Sequence, residues 1–63
     1  METKITFKRF NGKWRAIVET RGEKQQRAVL EDRCLRRLAS MAVEEMEAQQ
    51  DMILFMIWLK ENK

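Results

Sequence analysis

Over the first 30 residues, hydrophobic and polar positions alternate; beyond them the period changes. Ile5 and Phe7 are interleaved with Lys4, Thr6 and Lys8, and Trp14, Ala16 and Val18 with Lys13, Arg15 and Ile17. A repeat of two is that of a strand whose side chains point to opposite faces in turn. Asn11-Gly12 separates the segments Ile5–Phe10 and Lys13–Glu19. Both central residues of a type I′ turn need positive φ, which Asn and Gly adopt at low cost, so the pattern predicts a β-hairpin. A second turn is expected at Thr20-Arg21-Gly22-Glu23. Lys24–Leu30 then reads as a third strand, with the first turns of a helix as the alternative.

From about Glu31 the apolar spacing becomes helical. Leu35, Leu38, Ala39, Ala42 and Met46 recur every three or four positions, in a segment rich in strong helix formers. Glu31 and Asp32 suit a helix N-terminus, and Lys60 and Lys63 suit a C-terminus. The polar stretch Glu47–Asp51 is the one place where the helix is expected to break, if it breaks at all. The expected fold is a single α+β domain over 1–63. Residues 1–30 form an antiparallel hairpin or three-stranded sheet, and 31–63 a long C-terminal helix.

Alternation sorts the sheet into two faces. Ile5, Phe7, Trp14, Ala16, Val18, Ala28 and Leu30 form an apolar face that can pack under the helix. The other face carries Lys4, Thr6, Lys8, Phe10, Lys13, Arg15, Ile17, Glu19, Gln25, Arg27 and Val29. On this count the outer face holds five cations and one acid. The imbalance extends to the whole front of the chain: residues 1–37 carry eleven basic and five acidic side chains, and 38–63 two basic and five acidic. Net charges of +6 and −3 give an overall +3. Solubilisation accounts for the amount of charge but not its segregation, which is the electrostatic footprint of a nucleic-acid or acidic-protein partner. The expected contact residues are Lys4, Lys8, Lys13, Arg15 and Arg27.

The run Asn11-Gly12-Lys13-Trp14-Arg15-Ala16, followed by a third strand and a helix, resembles the small arm-type (AP2-like) DNA-binding domain of phage integrases. The likeness covers roughly residues 4–48 and rests on Gly-Lys-Trp-Arg and the order of elements. It implies a three-stranded sheet packed on one helix, with the outer sheet face lying in a DNA groove. The residues matching that face are Lys13, Arg15 and Arg27. The resemblance implies nothing about residues 49–63.

That last segment contains Met52-Ile53-Leu54-Phe55-Met56-Ile57-Trp58-Leu59, an uninterrupted apolar run. On a helix it covers the full circumference for two turns, more than a 63-residue monomer can bury. A membrane span needs about 20 apolar residues, and an interfacial helix keeps a polar face, so neither fits. Self-association is expected, through Met52, Ile53, Phe55, Met56, Trp58 and Leu59, in a homodimer or higher oligomer. Trp58 is the natural anchor. Met41, Met46, Met52 and Met56 read either as core filling or as an adaptable surface.

Candidate chemistry adds little. Cys34 is the sole cysteine and histidine is absent, so there is no intramolecular disulfide and no histidine-activated nucleophile, and a zinc cage is not expected. Arg33, Arg36 and Arg37 around Cys34 leave a redox-sensor role as the alternative to an ordinary helix residue. Glu44-Glu45 and Glu31-Asp32 read as solvated charge. No enzyme constellation, cofactor or small-molecule substrate is expected. The unpaired thiol, with no signal-peptide pattern, leads to a cytoplasmic expectation. Three functions compete: a small phage or mobile-element type DNA-binding protein, an inhibitor or adaptor directed at a host protein, and a purely structural oligomerisation module.

Overall fold

The computed structural model describes residues 1–22 and 24–62. Three strands, β1 (Glu2–Phe10), β2 (Lys13–Arg21) and β3 (Gln26–Asp32), form an antiparallel sheet in the order β1-β2-β3. One helix, α1 (Leu35–Glu61), comes next and packs across β2 and β3. The fold is α+β, with a third strand rather than a helical extension after the second turn.

Asn11 at φ 49° and Gly12 at φ 73° turn the hairpin, as their chemistry predicts. The tight turn sets Phe10 opposite Lys13, and the register then runs through Phe7 opposite Ala16 and Ile5 opposite Val18. The second turn falls at Gly22, and Glu23 of the expected turn lies outside the described residues, as does Lys63 of the expected helix end.

The helix starts later than its acids suggested. Glu31 and Asp32 complete β3, and no acid occupies the first turn of α1. Asp32 instead organises the entry to the helix from outside it. Its carboxylate accepts the Cys34 backbone N–H at 2.7 Å and two bonds from Arg37, at 2.8 and 3.0 Å. The Arg37 guanidinium beside Asp32 holds its carboxyl below the usual carboxylate range, helped by the Cys34 N–H. Cys34 is the N-cap residue but supplies no side-chain cap.

The helix does not break at Glu47–Asp51. Its buried residues are Leu38, Ala42, Gln49 and Ile53, spaced four, seven and four apart on one stripe. Gln49 occupies a core position and is fully satisfied there. Its Oε1 accepts from Thr20 Oγ1 at 2.8 Å, and its Nε2 donates to the Val18 carbonyl and to Glu45. Each hydroxyl has one proton, so the pairs fall into one directed chain. Gln50 Nε2 donates to Thr3 Oγ1, Thr3 to Thr20 and Thr20 to Gln49. These bonds tie the central strand β2 and the edge strand β1 to the helix.

The apolar core is thin: Ala16, Val18, Leu38 and Ala42 are buried, with Ile5, Trp14, Leu30 and Met46 packed around them. Ile53 closes its far end, its Cγ2 lying 3.4 Å from where a Cβ on Gly22 would stand. Ile53, expected at an oligomer interface from its place in the apolar run, is buried within the protomer, 1% exposed, because it falls in phase with Leu38, Ala42 and Gln49. Past this point the helix outruns the sheet. Its 27 residues span about 40 Å, against about 30 Å for a nine-residue strand. Asn62 then caps it, its backbone N–H and its side-chain amide both donating to the Trp58 carbonyl. No helix among the described residues is long and apolar enough to cross a membrane.

Candidate nucleic-acid interface

With α1 on one side, the opposite face of the sheet is left uncovered. Strand pairing arranges it in rows across the three strands. Lys4, Glu19 and Arg27 form one row, Thr6, Ile17 and Val29 the next, Lys8, Arg15 and Glu31 a third, and Phe10 with Lys13 the last. The five cations expected from alternation all fall on this face. Arg21 joins them at the far end of β2, opposite Glu2.

Their environments differ. Arg15 is held from two sides, its guanidinium lying over the Phe10 ring at 4.4 Å and its Nη2 bonding Glu31 Oε2 at 3.3 Å. Its Nε is buried with no hydrogen-bond partner. The flat cation is thus fixed against a ring, a geometry that arginine's planar fork suits and lysine's ammonium does not. Arg27 makes only a long contact with Glu19, 3.8 Å, and remains more than half exposed. Lys4, Lys8 and Lys13 are exposed, and no carboxylate among the described residues lies within ion-pair distance of them.

Glu31 changes the electrostatics of the face. Placed at a helix start by its sequence context, it instead continues the alternation Arg27, Val29, Glu31 and stands across from Arg15. The face is therefore a mosaic in which Arg15 and Arg27 have a carboxylate within ion-pair distance, Lys4 stands across from Glu19 without reaching it, and Lys8 and Lys13 have none beside them among the described residues. Extending the period of two past Leu30 is the signal that locates Glu31.

A second basic group lies at the hairpin end. The pairing of Trp14 with Asp32 brings the start of β2 beside the end of β3, where the chain enters α1. Arg9 lies over the Trp14 ring at 5.7 Å, and Arg33 and Arg36 are exposed nearby in sequence, beside Arg37 on Asp32. Cys34, also exposed, sits among them. Among the described residues no cluster of His, Cys, Asp and Glu could hold a metal ion.

No family model matches this chain, and no curated protein or solved structure does either.

Proposed function

We propose that this chain is a non-enzymatic, self-associating binding protein that grips duplex DNA with the open face of its sheet. The observation that carries the reading is the unequal treatment of the two faces. α1 packs over one, across β2 and β3, while the other presents Lys4, Lys8 and Lys13 to solvent with no carboxylate among the described residues within ion-pair distance. Unpaired lysines on a flat β-surface neutralise phosphates by releasing counterions, so affinity should fall steeply with salt. Arg27 is exposed enough to add a contact. Arg15, pinned between Phe10 and Glu31, orients the surface more than it reaches out. Self-association rests on the exposed end of α1, where Phe55 and Trp58 remain more than half exposed.

A salt series with duplex DNA tests this. Binding should be present at low salt, with Lys8→Ala and Lys13→Ala each lowering the slope of log K against log salt by about 1. No binding at low salt, or the same affinity in the double variant, overturns it.

One observation favours a second reading, an acidic host protein as target. The row Thr6–Ile17–Val29 crosses the middle of the face without charge, and Val29 is exposed. An apolar strip between cations suits a protein better than a phosphate backbone. A protein partner retained after nuclease treatment and lost in Val29→Asp would favour this reading.

A further inference from the structure

At about 100° per residue, Leu38, Ala42, Gln49 and Ile53 fix which side of α1 meets the sheet. The stripe pointing directly away runs through Glu44, Glu47, Asp51, Phe55 and Trp58. It is acidic along the body of the molecule and turns aromatic where the helix leaves the sheet. Phe55 and Trp58 stack there, ring centroids 6.3 Å apart and planes 14° from parallel, so two large rings are already held in one orientation.

We infer that a second copy of this chain covers this aromatic end, with the two helices antiparallel and tail to tail about a two-fold axis near Phe55. This rests on the self-association proposed above and specifies its geometry. Area supports it. Met52, Leu54, Phe55, Trp58 and Leu59 are each 44–56% exposed. Together they offer at most on the order of 500 Å² per protomer, hence up to roughly 1,000 Å² in a dimer, the lower bound for a specific interface. Charge selects the direction. A parallel, in-register pair would set Glu44, Glu47 and Asp51 against their own copies along the seam. An antiparallel pair about residue 55 overlaps residues 49–61, sets Asp51 across from Leu59 instead of its own copy, and carries the Glu44 and Glu47 side chains of the two copies more than about 20 Å apart along the axis.

Cys34, exposed and the only thiol, reports the geometry in the protein as it stands. With the axis near residue 55, two Cys34 side chains lie about 60 Å apart in the antiparallel dimer, but within about 30 Å in a parallel one, even a splayed one. The experiment is light scattering of the wild type and Trp58→Asp, with dipolar spectroscopy on nitroxide-labelled Cys34. The expected result is a dimer with a distance near 60 Å, converted to a monomer by Trp58→Asp with an unchanged circular dichroism spectrum. A dimer with a short Cys34 distance, or one indifferent to Trp58→Asp, overturns the tail-to-tail geometry and leaves self-association standing. A wild type that stays monomeric overturns both.

Discussion

Thr20 and Gln49, 29 positions apart in sequence, meet in the buried seam between β2 and α1, hydroxyl to amide oxygen at 2.8 Å. The contact helps to fix the phase of the helix on the sheet, since a rotation that keeps Gln49 buried but off this seam leaves its amide without partners. Gln49→Ala removes the acceptor of Thr20 and the donor to the Val18 carbonyl, and should cost about 2–4 kcal/mol. Thr20→Val with Gln49→Leu removes both ends together and should cost clearly less than the sum of the two single changes. Chemical denaturation of the wild type, Thr20→Val, Gln49→Leu and the double variant measures the coupling. Additive single effects would show that the pair acts independently.

The hairpin and the parity of both sheet faces were legible in the sequence because Asn11-Gly12 pins a register and a period of two propagates it. Glu31 was not, because an acidic dipeptide ahead of a helical repeat reads equally well as a helix start. Gln49 was not, because a polar residue in a core position is recognisable only beside its partner, and Thr20 lies a whole sheet away in sequence. In the apolar run, eight consecutive hydrophobic residues carry no period of their own. Only continuing the phase of Leu38 and Ala42 separates buried Ile53 from outward Phe55. Among the candidate site residues, position was readable and pairing was not. Alternation put Arg15 and Lys8 on the same face but gave no sign that only Arg15 has a carboxylate beside it.

Asp32 makes the fold sensitive to acid. Arg37 and the Cys34 N–H hold its carboxyl below the usual range, so the folded state binds this proton less tightly than the unfolded chain. The stabilisation is complete above the unfolded value near pH 4 and is lost as pH falls through the lower folded value. Asp32→Asn keeps an acceptor for Cys34 but loses the ion pair with Arg37. Thermal melts across pH 2–7 should show a lower Tm for the variant at neutral pH and a gap that closes in acid. A constant gap would assign the effect to the hydrogen bond alone.

Leu38 and Trp58 are both large apolar residues on α1, with opposite roles. Leu38 is fully buried in a core of few side chains, and Leu38→Ala should cost about 2–5 kcal/mol, enough to unfold much of a domain this small. Trp58 is 56% exposed at the end of the helix. At a protein concentration low enough for the wild type to be monomeric, Trp58→Ala should leave stability within about 0.5 kcal/mol. Urea titrations at two concentrations separate the cases. A large loss for Trp58→Ala under dilute conditions would make it part of the protomer core.

Glu31 offers a test of the DNA reading that gains function instead of losing it. Glu31→Gln removes the carboxylate beside Arg15 and raises the positive charge of the open face by one. Arg15 stays on Phe10 through ring contact. Duplex affinity at low salt should rise several-fold and the salt slope steepen by up to about 1, since one more cation becomes available to phosphate. If Arg15 serves a protein target through its paired geometry, the same change should weaken that complex. Unchanged DNA affinity would place the contact surface elsewhere, with the exposed arginines around the start of α1 the next group to test.

The tail-to-tail dimer makes a prediction that neither the sheet nor the tail makes alone. Each open face points away from its own helix, and the helices meet on the side opposite their sheets. The two open faces therefore point in opposite directions, displaced from one another along the long axis. A single straight duplex cannot lie on both, so avidity on one duplex is excluded by geometry and bridging of two is favoured. Mixing the protein with biotinylated and fluorescent duplexes at low salt should retain fluorescence on streptavidin, and Trp58→Asp should abolish retention while each duplex is still bound singly. Lys8→Ala with Lys13→Ala should weaken binding and retention together. Retention that survives in a Trp58→Asp protein shown by light scattering to be monomeric would mean that one protomer holds two duplexes by itself, through the open sheet face and the basic hairpin end. Retention by a variant that is still a dimer would overturn the tail-to-tail geometry.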